Sequence, residues 1–302
     1  MIPNLIRYLK LYIIPERGFF SALRLMPLIL AAAVLVTAVS CSKEEKSMDN
    51  EAVKTTANGV TKYELENGLT VILEENYSSP VVAVNVWVKT GSACETEGEY
   101  GLAHVHEHML FKGTEKREVG EIARVIEGSG GDINAFTSFD ETVYYVVIAS
   151  RFQDTALDVL SDAMQNSTFD PEELEKELEV VVEEIRRGQD SPGRNLSEKL
   201  FSTMFEQHPY GRPVIGSVES VKSFTRKGIT DFYHKWYSPQ NMALVIVGDF
   251  DSETIEPKIE ETFGKLKRRD IPGRGIAPEP AQTEVRAFRL DQPVPEGHLP
   301  LA

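Results

Sequence analysis

From Gly59 onward the densest apolar runs are residues 81–88 (VVAVNVWV), 142–149 (TVYYVVIA) and 242–247 (MALVIV). Each is short, continuous and rich in β-branched residues, the pattern of a well-buried strand. Residues 61–65 and 69–74 predict two more strands. They join at Glu66-Asn67-Gly68, because Asn-Gly is a strong hairpin signal. Helical stretches lie between these runs: 101–112 with Gly113 as its C-cap, 119–127, 152–165, 197–206, 230–236 and 253–262. The clearest helix opens at Asp170-Pro171-Glu172-Glu173, where an N-cap Asp, a first-position Pro and first-turn acids all suit the helix dipole. It is expected to run to Arg187 and stop at Gly188. Leu174, Leu178, Val181 and Ile185 give it an apolar seam at helical spacing. Strands and helices segregated in this way predict an α+β domain, a largely antiparallel sheet flanked by helices.

The two ends differ from the middle. Residues 26–40 (MPLILAAAVLVTAVS) are apolar and follow Arg7, Lys10, Arg17 and Arg24. A membrane-spanning helix wants about 20 such residues, so residues 1–40 predict an export signal, with an uncleaved anchor as the alternative. Ala38-Val39-Ser40-Cys41 resembles the lipobox of bacterial lipoproteins, although Ala38 stands where that pattern prefers Leu. The resemblance implies that Cys41 is lipidated as the mature N-terminus. Ser42 beside it resembles the outer-membrane sorting choice of Gram-negative bacteria, which implies a periplasmic, membrane-anchored protein. A plain secretory signal is the simpler alternative. Polar residues 41–58 read as a tether and 59–267 as the folded domain. Residues 268–283 (RRDIPGRGIAPEPAQT) are rich in Pro and Gly and predict a linker, with a candidate strand at 284–290. Residues 268–302 as a whole read as a linker and the start of a truncated second domain.

Composition narrows the partners. The 302 residues are 41% hydrophobic and 26% charged, ordinary for a globular chain. The formal charge is −15; four basic residues and one acidic residue leave with residues 1–40, taking it to −18. A nucleic-acid partner needs a basic face, so none is expected. Membrane contact is expected only through the lipid anchor. With Cys41 lipidated, Cys94 is the other cysteine of the chain, and no internal disulfide forms.

Three of the six histidines fall within His104-Val105-His106-Glu107-His108. On a helix, His104 and His108 project from one face at the spacing that lets two imidazoles reach one zinc ion. Glu107 lies at the edge of that face, able to approach water on a metal without ligating it. His106 points away. The order HxxEH is the inverted form of a zinc-peptidase motif. A catalytic zinc takes three protein ligands and keeps one position open. Glu177 and Glu184, seven residues apart on one flank of the 170–187 helix, are candidates for the third; Glu183 is rotated about 100° away. A surface helix with solvated His and Glu remains the alternative at this point.

The segment from Gly101 to Thr114 (GLAHVHEHMLFKGT) closely resembles the active-site helix of the pitrilysin-type (M16) zinc metallopeptidases, whose pattern is HxxEH followed by a distal Glu about 76 residues on. Glu184 lies 76 residues after His108, and Glu177 matches a second glutamate seven residues before it. Residues 67–73, 130–138 (GGDINAFTS), 142–145, 208–211 and 237–249 are similar too. The likeness covers roughly 58–270 and points to the N-terminal catalytic half.

The resemblance implies one Zn2+ held by His104, His108 and Glu184, with a metal-activated water. It implies Glu107 as general base, Glu177 as a carboxylate that orients the site, and Asn134 and Ala135 as the edge that holds a peptide backbone. The expected activity is that of a zinc endopeptidase acting on peptides or unfolded segments. Family members pair this domain with a second, similar one. The partner is therefore expected to be a second M16-type domain or subunit. The rival expectation is a non-catalytic or half-site subunit that needs that second domain for activity.

Overall fold

The computed structural model describes residues 54–291. The signal-like segment and Cys41 lie outside the described residues. One mixed sheet organises the chain: β1 (Thr55–Ala57), β2 (Val60–Glu64), β3 (Thr70–Glu75), β4 (Val81–Val88), β5 (Asp132–Thr137), β6 (Thr142–Ala149) and β7 (Met242–Gly248). Their spatial order is β1-β2-β3-β7-β4-β6-β5, and every pairing is antiparallel except β3 with β7. Alternation decides which face is covered. Val82, Val84, Val86 and Val88 of β4 are fully buried, as are Leu244 and Ile246 of β7, while Ala83, Asn85 and Trp87 on the other face are half-buried.

Helices line the buried face: α1 (Leu102–Leu110), α2 (Glu121–Gly128), α3 (Gln153–Asn166), α4 (Pro171–Gln189), α5 (Pro192–Met204), α6 (Val218–Lys222), α7 (Arg226–Trp236) and α8 (Ser252–Phe263). Among the described residues no helix is long and apolar enough to cross a membrane. Helix α3 packs beneath β4 and β6 with α8 behind it, and α1 is wedged between β5, α4 and α7.

Several expected boundaries move for identifiable reasons. Thr55–Ala57, placed by sequence in the tether, pairs with β2 as an edge strand. Helix α4 continues through Gly188 to Gln189, because that glycine is not a stop: a Cβ there would lie 2.9 Å from the Arg194 guanidinium, which crosses it. Helix α5 starts at Pro192, not 197, since proline suits a first helical turn. Helix α7 starts at Arg226, where the Thr225 hydroxyl accepts from Gly228 N–H. The short α6 carries a Ser217–Ser220 capping box that was not anticipated. Residues 284–290 form no strand; Val285 is 92% exposed and has no sheet to join.

Helix α1 begins at Gly101, whose φ of 97° is left-handed and whose missing Cβ lets Ile215 O approach, as a Cβ would sit 2.6 Å from it. Glycine offers no side-chain cap. Glu95 supplies one from outside the helix: its two carboxylate oxygens accept from Gly101 N–H at 2.9 Å and Ala103 N–H at 2.8 Å. Burial raises the Glu95 pKa to about 8, against the opposing pull of the Ala103 and Gly101 N–H groups and Arg212.

The segment after α8 is a strap held by polar contacts. Glu279 accepts from the backbone N–H groups of Glu206, Gln207 and His208 at 2.8–3.0 Å. Arg286 donates to Thr203 O and Met204 O, the last carbonyls of α5. Helix α5 has no buried residue of its own, so these contacts hold its C-terminal end.

Two outcomes follow from these anchors. A carboxyl whose folded pKa lies above its unfolded value binds a proton on folding. Glu95 therefore contributes fully below about pH 4.5, and that contribution is lost as pH rises toward about 8. Denaturant unfolding of chelator-treated protein should show stability falling over this window by on the order of a few kcal/mol; Glu95→Gln should flatten the fall. Replacing both strap anchors (Glu279→Gln with Arg286→Ala) should speed amide exchange in 192–204 by about tenfold, with α4 unchanged.

Candidate metal centre

Helix α1 buries Leu102, Ala103, Val105, His106, Met109 and Leu110, which leaves His104, Glu107 and His108 as its half-buried positions. Helix α4 packs against it through Leu174, Val181 and Ile185, with Leu178 half-buried beside them, as the apolar seam predicts. That packing brings Glu184 over the two rings. Its Oε2 lies 3.7 Å from His104 Nε2 and 3.8 Å from His108 Nε2. One ligand atom from each of His104, His108 and Glu184 falls within 4.8 Å of the others.

These distances suit a zinc ion. Bonds of about 2.0–2.2 Å in a tetrahedron put ligand atoms roughly 3.4 Å apart, so each of the two contacts from Glu184 to a ring needs to close by only a few tenths of an ångström. The rings are also prepared to ligate. His108 Nδ1 lies 3.1 Å from Glu177 Oε2, which leaves Nε2 free to face Glu184. Glu177 is held in turn by Lys112 Nζ at 2.6 Å. Burial, then the neighbouring His108 and Arg194, depresses His104 to about 3, so its ring is neutral. Its buried Nδ1 has no protein partner among the described residues.

Glu177 and Glu184 therefore have different tasks. Glu177 is buried and bonded to His108 and Lys112, which outweigh the burial that would otherwise raise its pKa and leave it lowered. Glu184 is 41% exposed, open to an incoming ion, with Arg194 Nη1 3.9 Å from its other oxygen. Glu183 faces solvent and pairs with Arg186. His106 sits within Phe169, Phe232, Tyr233 and Tyr237, with both ring nitrogens unpartnered; burial holds it neutral, its pKa lowered to about 3. It is a core side chain and takes no part in the centre.

Glu107 is adjacent. Burial raises its pKa, while one oxygen accepts from the Thr137 hydroxyl at 2.5 Å. Thr137 ends β5, the outermost strand on this side of the sheet, so the centre lies beside an open sheet edge. Asn134 and Ala135 belong to the same strand. Asn134 is exposed, and its Oδ1 accepts from Ala135 N–H at 2.8 Å. Beside the centre a cavity of about 310 Å³ opens, lined by Thr137, His104, Glu184, Arg194, Phe201 and Ile215 among others.

Sequence reasoning named His104, His108 and Glu184, which the fold brings together, but missed Glu95, Lys112, Thr137 and Arg194. Lys112 stands five residues after Glu107 in the helical stretch, and its meeting with Glu177 has no periodic signal. Thr137 lies within the segment compared with the family edge strand, without its own role being visible.

Comparison with known proteins agrees with this geometry. Residues 70–218 match the profile of insulinase-type proteins (peptidase family M16), and residues 223–301 match that of the peptidase M16 inactive domain. An uncharacterized zinc protease of Rickettsia felis is 38% identical over 207 residues, 68% of this chain and 50% of the relative. The chain spans about half the length of the curated relatives it matches. Among solved structures, a protease from Helicobacter pylori is similar with a TM-score of 0.72 and 31% identity, over 75% of this chain and 56% of that one. The first half of the periplasmic protease PqqL from Escherichia coli is similar with a TM-score of 0.71 and 28% identity, over 76% and 51%. The profile matches at 70–218 and 223–301 take in strands β3 to β7, α1 and α4 alike. With the 38% identity to a zinc protease over 68% of the chain, they show that the chain belongs to the M16 peptidase family.

Proposed function

We propose that this chain is the metal-bearing half of a zinc endopeptidase acting on short or unfolded peptides, in which His104, His108 and Glu184 hold one zinc ion. The observation that carries the proposal is the convergence of these three side chains beside Glu107 and an open strand edge. Zinc held there supplies a Lewis acid that lowers the pKa of water to about 7 and polarises a carbonyl.

The chain's own residues do the rest. Glu107 has one oxygen bonded to Thr137 and no hydrogen bond to the other among the described residues. That free oxygen takes a proton from the attacking water and delivers it to the leaving nitrogen. Burial, which raises the carboxyl's pKa, suits it to both directions of transfer. Glu177 keeps the His108 ring in the orientation that presents Nε2.

The free edge of β5 holds substrate by strand addition, which reads main chain more than side chain. Ala135 N–H, now bonded to the Asn134 side chain, is the donor offered once Asn134 turns to the peptide. A second reading is favoured by coverage. The chain spans about half of its relatives, and its structural neighbour from Escherichia coli is itself a first half. In that case turnover requires a second M16-type domain, supplied by another polypeptide or by self-association.

Metal analysis of the purified chain should find about one zinc per chain. His104→Ala and Glu184→Gln should lose it, while Glu107→Gln should keep it. Cleavage of a quenched peptide, alone or with a second half added, should fall about 10²–10⁴-fold in Glu107→Gln. Unchanged cleavage in that variant removes Glu107 as the base, and full zinc in Glu184→Gln removes the proposed ligand set. The proposed setting at the cell envelope is checked separately. Intact mass of the mature protein should correspond to a chain starting at a diacylated Cys41, and a chain starting elsewhere or lacking lipid would reject it.

A further inference from the structure

Glu107 reaches its position on a long side chain, and a general base works only when its carboxylate is held. The only hydrogen bond to that carboxylate among the described residues is from Thr137, thirty positions on and in a different element. We propose that Thr137 is the positioning residue of Glu107: its hydroxyl fixes one carboxylate oxygen so that the other is presented to the reacting water. The inference rests on the function proposed above and adds to it a residue with a defined task.

The direction of the bond follows from its neighbours. A threonine hydroxyl has one proton to give. Thr142 donates its proton to Thr90 O at 2.9 Å, in a buried position, so it has none for Thr137. The 3.5 Å separation between the two threonine hydroxyls is accordingly a long contact. The Thr137 proton goes to Glu107 Oε2 at 2.5 Å, within the range of an O–H donor on an ionised carboxylate.

The strand holds the donor still. Thr137 pairs with Thr142 across β5 and β6, and its side chain shares the inward face with Ile133 and Ala135, both packed against the core. A β-branched side chain has few χ1 choices, so the hydroxyl is pre-aimed. Strand β5 is also the edge proposed to receive the peptide. One strand therefore sets both the height of the substrate backbone and the aim of the base. A misplacement of about 1 Å in such a pair can cost on the order of 10²-fold in rate.

The test compares Thr137→Val, which keeps the shape and removes the hydroxyl, with Thr137→Ser, which keeps the hydroxyl. Melting temperature confirms that each variant folds. Zinc affinity is measured by chelator competition, peptide cleavage is measured with the second half present, and the Glu107 side chain is located in crystals. Thr137→Val is expected to bind zinc as the parent does and to keep KM within about twofold. Its kcat should fall about 10–100-fold, with Glu107 displaced from its present position. Thr137→Ser should recover most of the rate. The proposal is overturned if Glu107 stays in place in Thr137→Val, if its kcat is unchanged, or if zinc is lost with the hydroxyl, since the last would make Thr137 a support of the metal site. Should the parent cleave nothing, the peptidase reading fails by itself. The position of Glu107 in the Thr137→Val crystals then still decides the role of Thr137.

Discussion

Helix α1 is buried on most of its surface while carrying three histidines and a glutamate, and the rest of the chain is arranged around satisfying them. A buried polar group without a partner is costly, and α1 also brings an uncapped N-terminus into the interior. Each demand is met from outside the helix. Glu95 caps the N-terminus, Glu177 takes the His108 Nδ1 side, Thr137 takes one oxygen of Glu107, and Glu184 faces both Nε2 atoms. The exceptions among the described residues are His104 Nδ1 and the two nitrogens of His106, which sit among aromatic rings. The centre is thus the meeting place of three other segments, the loop at Glu95, β5 and α4, and α1 is the element that all of them touch.

Much of this was legible in the sequence because it is written in local periodicity. The runs at 81–88 and 142–149 became strands over the same residues, and the 242–247 run became β7 with one residue more. The Asp170-Pro171 opening gave α4 its start, with Asp170 accepting from Glu172 and Glu173 N–H as expected. The HxxEH spacing and the seven-residue interval from Glu177 to Glu184 also survive folding, since both are geometric consequences of a helix. What failed to show is set by tertiary contact. Gly188 looked like a helix end because glycine usually marks one; here it clears space for Arg194. Glu95 lies in a loop with no pattern, and only the fold tells that its carboxylate meets the first turn of α1.

The sheet's order carries a consequence for the family profiles. Strand β7 lies between β3 and β4, parallel to the first and antiparallel to the second, although it follows them by more than 150 residues. It falls within the stretch that matches the inactive-domain profile, whereas α1 and α4 fall within the other match. The two matches therefore do not divide the described residues into separable bodies. The central strand β7 comes from the second stretch, so residues 70–218 by themselves lack the strand that joins β3 to β4.

Rigidity is distributed unevenly around the centre. The ligand-bearing helices are anchored by apolar contact, α1 through six buried residues and α4 through its seam. Helix α5, which lines the neighbouring cavity, buries none of its residues and is held at its C-terminal end by polar clamps. Arg194 joins the two regimes, bonded to Glu198 within α5, laid across Gly188 of α4 and 3.9 Å from Glu184. Under the proposed function, a catalytic metal would need ligands fixed to fractions of an ångström, whereas a pocket for varied peptide side chains would benefit from a wall that adjusts. Apolar packing provides the first and exchangeable hydrogen bonds the second, so the kind of force used on each side of the cavity matches the tolerance that side requires.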